Sequence, residues 1–151
     1  AASDVYKRQS GDNGSNNNGN NPDDNDDNND DTPVSNNLKI TIGPVSFNAT
    51  LENNKTAKAF KRLLPMTVDM SELHGNEKYY YLSNGLPTAS SNPGTIRTGD
   101  LMLYGSTCVV LFYETFSTSY TYTRLGRITN PSGLASALGS GGVNVTFEIT
   151  D

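Results

Sequence analysis

The stretch Leu101–Phe116, LMLYGSTCVVLFYETF, decides the architecture. Leu101–Tyr104 reads as a short strand, Gly105–Ser106 as a turn, and Cys108–Phe116 as the most apolar run in the chain. A continuous apolar run bounded by turn residues predicts a strand buried on both faces. The connection at Gly105–Ser106 is a tight turn, whereas parallel strands need a crossover of about a dozen residues or more.

The same grammar extends to both sides. Leu38, Ile40 and Ile42 alternate with polar residues, Gly43–Pro44 interrupts, and Val45, Phe47, Ala49 and Leu51 alternate again. That pattern predicts two strands joined by a tight turn. Asn53 or Asn54 can then cap a helix whose Ala57, Phe60, Leu63 and Leu64 form one apolar stripe. Pro65 ends it, because proline forces its predecessor out of the helical region. Met66, Val68 and Met70 predict a third strand, and Glu77–Leu82 a short one. Residues 85–94 read as an extended loop rich in Gly, Pro and Ser. Ser119–Thr123 alternates polar with aromatic, and Leu125–Ile128 is another short strand. Pro131–Leu138 can form a short helix that stops at Gly139. Val143, Val145, Phe147 and Ile149 alternate as a final strand. About eight strands, two short helices and no βαβ rhythm favour a closed or sandwiched β-architecture. Closure would also remove exposed sheet edges.

The N-terminal quarter has a different composition. Residues 1–37 contain 11 Asn and 8 Asp, with few apolar residues. They carry Lys7 and Arg8 against eight aspartates, a net −6, whereas 38–151 carry nine cations against eight anions, a net +1. The acidity of the chain therefore belongs to this segment. It is expected to be a disordered Asn/Asp-rich linker, since it cannot bury enough apolar surface to offset its ordering entropy. Within it, Ser3–Gln9 reads as a sequence scar, so residues 1–9 are set aside. The run Asp23–Asp31 lacks the glycine and glutamate spacing of an EF-hand loop. One domain is expected, over 38–151.

Several function classes are disfavoured by composition. The domain has no basic excess to displace counterions from phosphates, so nucleic acid is not an expected partner. Cys108 is the sole cysteine and lies in the apolar run, so it reads as a packed core thiol. His74 is the sole histidine, which excludes two-histidine metal sites. It sits in a Leu-His-Gly-Asn turn and reads as a loop residue. Glu77 and Glu114 are the only carboxylates near apolar strands, and nothing in their spacing pairs them for acid–base work. Gly139–Gly142 lacks the Lys-Ser/Thr and helix of a phosphate loop. No metal or other cofactor is called for.

Four blocks, in order, resemble bacterial cyclophilin-like fold proteins. They are TAKAFKRLLPMTVDMSELHGNEKYY (Thr56–Tyr80), NPGTIRTGDLMLYGSTCVVLFYETF (Asn92–Phe116), YTYTRLGRI (Tyr120–Ile128) and NPSGLASALGSG (Asn130–Gly141). The resemblance implies a closed eight-stranded antiparallel barrel with a helix at each end. It also implies a setting: some members are fused to flavodoxin-like domains, and others follow a lipoprotein signal and a polar tether. The segment before residue 38 is similar to the last kind. An extracytoplasmic place is thus expected, as a cell-surface lipoprotein or a secreted protein. Contact with the membrane would come only through an anchor upstream of this sequence. True cyclophilins isomerise X-Pro bonds with an arginine beside an apolar pocket. Their Phe-His-Arg and Gln-Gly-Gly-Asp-Phe stretches do not occur here, and the chain has no Trp.

The best candidate binding surface is Phe116–Arg124, FSTSYTYTR. It sets Tyr120 and Tyr122 on one face, with Arg124 nearby, and tyrosine gives a large contact area with a polar handle. Tyr79–Tyr81 places aromatics on both faces of its strand. Arg97 is the arginine best placed beside Tyr104 and Phe112. The candidate binding residues are therefore Arg97, Tyr104, Phe112, Phe116, Tyr120, Tyr122 and Arg124. The expected role is a monomeric module that binds a peptide or small molecule. The alternative is a peptidyl-prolyl isomerase with a diverged site.

Overall fold

The computed structural model describes residues 32–151. The expected linker thus lies almost entirely outside the described residues. The strands are β1 (Asn37–Ile42), β2 (Val45–Leu51), β3 (Met66–Leu73), β4 (Glu77–Tyr81), β5 (Thr95–Ile96), β6 (Asp100–Tyr104), β7 (Cys108–Phe112), β8 (Phe116–Ser117), β9 (Thr123–Ile128) and β10 (Val143–Ile149). The helices are α1 (Lys55–Lys61) and α2 (Leu134–Leu138). Eight strands close into an antiparallel barrel in the order β1-β10-β3-β4-β7-β6-β9-β2, with β2 returning to β1. The expected barrel with two short helices is what forms.

Alternation explains the barrel interior. Leu38 and Ile40 of β1 stand opposite Ala49 and Phe47 of β2 and opposite Ile149 and Phe147 of β10. Leu101, Leu103, Val109, Leu111, Leu125 and Val145 complete the filling, all buried in one cluster. Full burial of each such side chain contributes about 1.5–3 kcal/mol. α1 begins at Asn54, whose side chain accepts the Ala57 N–H at 2.7 Å. It buries Ala57 and Phe60 in the same cluster, and Phe60 meets Phe147 edge-on at 5.8 Å. The helix is shorter than its apolar stripe suggested: it ends at Lys61, and Leu63 is exposed. α2 inserts Leu134 and Leu138.

Closure needs one very close approach. A Cβ on Gly126 of β9 would lie 2.5 Å from the Thr50 carbonyl oxygen of β2. Only glycine lets these two backbones meet without displacement.

The main departure from the sequence pattern is at 113–117. The apolar run was expected to continue as a strand to Phe116, but β7 ends at Phe112. There the Gly99 and Tyr113 amides turn to other chain segments, donating to Phe112 O and Asn76 O. The chain then leaves the barrel. Phe116–Ser117 pairs with Thr95–Ile96 as a separate two-stranded ribbon. Two-residue strands carry too little periodicity to show in a sequence.

Candidate functional site

The ribbon explains why Leu101–Phe116 is so apolar. Directly paired residues share a sheet face. Leu101 and Leu103 pair with Leu111 and Val109, and all four point into the barrel. Met102 and Tyr104 pair with Val110 and Cys108 on the outer face. That outer face would be wet in a bare barrel. Here Met102, Cys108, Val110 and Phe112 join Ile96 of the ribbon and Tyr122 in a second buried cluster. Cys108 is buried in this layer, as its setting in the sequence suggested.

Aromatic rings build this outer layer. Phe112 meets Tyr122 edge-on at 5.5 Å and lies tilted against Phe116 at 5.8 Å. Tyr122 meets Tyr104 at 5.5 Å, and Tyr104 meets Tyr120 at 6.3 Å. On β4, Tyr79 and Tyr81 form another edge-on pair at 5.9 Å. Tyr79, Tyr104, Phe116 and Tyr120 are partly buried against the cluster. Edge-to-face pairs add about 0.5–1.5 kcal/mol each beyond their burial. Burial, with smaller contributions from Cys108 and Tyr79, pushes the Tyr81 phenol up to about 12.

The residues singled out from the sequence thus fall into three groups. Phe112 and Tyr122 are buried and support the layer from beneath. Tyr104, Phe116 and Tyr120 form its half-open upper surface. The two arginines lie on different elements. Arg97 is exposed in the turn between β5 and β6, where its amide donates to Asp100 Oδ2 at 2.9 Å. Arg124 is half-buried on β9 opposite Met102. Asp100 caps that turn and also lies 3.5 Å from the Arg127 guanidinium. His74 is an exposed turn residue with φ 54°.

The loop before the ribbon completes the layer. Ser91 and Tyr122 exchange backbone hydrogen bonds at 2.9 and 3.0 Å, and the Ala89 amide donates to Thr123 Oγ1. Residues 88–94 therefore run as a strap beside Tyr122 rather than as a free loop.

Sequence reasoning missed a polar cluster on the opposite side of the same strands. Lys78 of β4 pairs with Glu72 and Leu111, so it points into the barrel. Its Nζ donates to Glu72 Oε1 at 2.8 Å. Tyr113 Oη donates to the same oxygen at 2.7 Å, and the Gly75 amide to Oε2 at 2.6 Å. Burial alone would raise the Glu72 carboxyl. The hydrogen bonds from Lys78, Tyr113 and Gly75, together with the Lys78 charge, outweigh it and hold the pKa below the usual value. Burial first, then the Glu72 carboxylate, pushes the Tyr113 phenol upward. The signal available in the sequence was a Glu-to-Lys spacing of six across the turn at 74–76, which places the two side by side only once the hairpin is known. Glu77 is also fully buried, on the outer face opposite Phe112, whereas Glu114 is exposed.

A separate polar groove of about 550 Å³ lies between residues 32–34 and the lysines Lys55, Lys58 and Lys61 of α1. It is remote in sequence from the aromatic layer. The Lys61 ammonium already donates to the Pro33 carbonyl at 2.9 Å, and burial, then the Lys58 charge, lowers its pKa. No group of three or more His, Cys, Asp or Glu side chains able to hold a metal occurs among the described residues. No helix among them is long and apolar enough to cross a membrane.

Comparisons with known proteins agree with the barrel. The solution structure of a hypothetical protein from Archaeoglobus fulgidus superposes with a TM-score of 0.54 at 19% identity, covering 78% of this chain and 96% of that one. At that identity the likeness speaks for the fold alone. No curated protein matches the sequence. The model of the cyclophilin-like family matches residues 40–148, which is nearly the whole barrel. The chain belongs to the cyclophilin-like family.

Proposed function

We propose that this barrel is a binding module of an extracytoplasmic bacterial protein, and that a peptide or small molecule docks on its outer aromatic layer. The observation that supports this reading is the half-open trio Tyr104, Phe116 and Tyr120 resting on the buried pair Phe112 and Tyr122. Rings held by edge-on contacts lose little conformational freedom on binding, so they favour association. Tyrosine hydroxyls add hydrogen-bonding capacity at the rim. A domain with net charge +1 suits a neutral or mixed ligand better than a polyanion.

The test is an NMR titration of the labelled chain with a panel of short peptides. Perturbations should centre on Tyr104, Phe116 and Tyr120, and Tyr104→Ala or Tyr120→Ala should weaken binding about tenfold. Ligands whose perturbations map elsewhere, or which ignore both substitutions, would overturn the reading. The isomerase alternative would need a guanidinium beside an apolar recess. A proline-isomerisation assay is expected to show no acceleration above background. Acceleration lost in Arg97→Ala or Arg124→Ala would favour that alternative instead.

A further inference from the structure

Lys78 is a fully buried ammonium, and its surroundings account for all of its donors. Its Nζ lies 2.8 Å from Glu72 Oε1, 2.8 Å from the Gly139 carbonyl and 2.6 Å from the Gly141 carbonyl. An ammonium has three N–H groups, so each has one acceptor. The Tyr113 ring stands 5.4 Å from the charge and bonds the same Glu72 oxygen.

Two of the three acceptors belong to the glycine loop that follows α2. Gly139 ends that helix with φ 72° and ψ −171°, a conformation open to glycine. α2 itself inserts Leu134 and Leu138 into the barrel core. The loop then passes Gly142, where a Cβ would stand 3.3 Å from the Met70 carbonyl oxygen, and enters β10. Lys78 on β4 ties this loop to the β3–β4 hairpin through bonds that span 61 and 63 residues of chain.

We propose that Lys78 is an internal ammonium latch. It pins the loop 139–142, and through it α2, to the barrel as one unit that opens only when its bonds to the loop break together. An apolar side chain at position 78 could fill the volume. It would leave the Gly139 and Gly141 carbonyls without the Lys78 donor, while Glu72 keeps Tyr113 and the Gly75 amide, so the loop would lose its hold while the barrel ladders stayed intact. This device is independent of ligand binding on the outer face.

Amide hydrogen exchange on the full chain tests it. In Lys78→Met, amides across 134–143 should exchange about tenfold faster or more, while those of β1, β2, β6 and β7 change far less. Unchanged exchange in the loop would overturn the proposal. So would equal acceleration throughout the barrel, which would make Lys78 a contributor to global stability only. Should Lys78→Met fail to fold, Glu72→Gln keeps the side-chain shape and weakens the latch, and the same two patterns decide. As a second arm, propylammonium should slow loop exchange in Lys78→Ala, whereas equal ionic strength from sodium chloride should not. Equal effects of the two salts would count against the latch.

Discussion

Tyr122 stands edge-on to Tyr104, with ring centroids 5.5 Å apart and planes at 67°. Tyr122 is 1% exposed and Tyr104 is half-buried. The pair is therefore the point where a closed apolar cluster becomes a surface. Residues below this line should govern stability, and residues above it should govern recognition.

Tyr122→Ala is expected to destabilise the domain by about 3–5 kcal/mol, the usual cost of emptying a large aromatic site in a core. Tyr120→Ala should cost less than about 1 kcal/mol, because its ring is partly open to water. Urea unfolding of both variants checks this. Similar losses in the two would show that the whole aromatic row is core.

Stability should fall in acid through Glu72. Its folded pKa is depressed, so its contribution is fully present above the unfolded carboxylate value of about 4.3. That contribution is lost as pH falls through the lower folded value. Tyr113 works in the other direction: its folded pKa is raised, so its share is fully present below about 10 and is lost as pH rises past that. Thermal melts from pH 2 to 7 should be flatter in Glu72→Gln than in the natural chain. An unaltered acid slope would count against this assignment.

Gly126→Ala should destabilise by about 3 kcal/mol, since the added methyl group meets the Thr50 carbonyl and the Leu51 backbone. Gly85→Ala should cost much less. Its nearest neighbour, at 2.9 Å, is the hydroxyl of Ser106, which can rotate away. Comparing the two urea midpoints separates backbone crowding from a loss of flexibility.

Asp100→Ala should cost about 1–3 kcal/mol. It removes the buried acceptor of the Arg97 amide and the partner of Arg127. Asp100→Asn keeps an acceptor for the amide and should recover much of the loss. If Asn is no better than Ala, the Arg127 charge contact matters more than the turn.

Removal of residues 1–31 should leave the melting temperature within about 2 °C. Removal of 1–37 should cost about 2–4 kcal/mol, at about 1 kcal/mol per hydrogen bond lost. The lost bonds include Ser35 Oγ to the Thr150 carbonyl, the Leu51 amide to Asn36 O and the Lys61 ammonium to Pro33 O. Equal melting of the two truncated chains would show that 32–37 contributes nothing.

Much of the barrel was readable because its signals are local. Leu38–Ile42, Val45–Leu51 and Val143–Ile149 each alternate with period two, and Asn54 announces the start of α1. The residues of the aromatic layer were also readable as types, but not as roles. Phe112 and Tyr122 look no different in the sequence from Tyr104 and Tyr120, yet the first two are buried and the others are partly open.

The amino-acid sequence by itself determined the barrel strands, the two short helices, the near-neutral domain and the family, because periodicity, turn residues and charge are written within a few residues of one another. Tertiary structure alone decided which faces become dry. Leu101–Phe112 is apolar on both sides because the ribbon of Thr95–Ile96 and Phe116–Ser117 folds over the outer face, a pairing across 20 or more residues. It also decided that Lys78 points inward, where Glu72 and two carbonyls from residues 61 and 63 positions away replace the water it would otherwise hold. A charge can be buried only where such partners converge, and that convergence exists only once the barrel has closed.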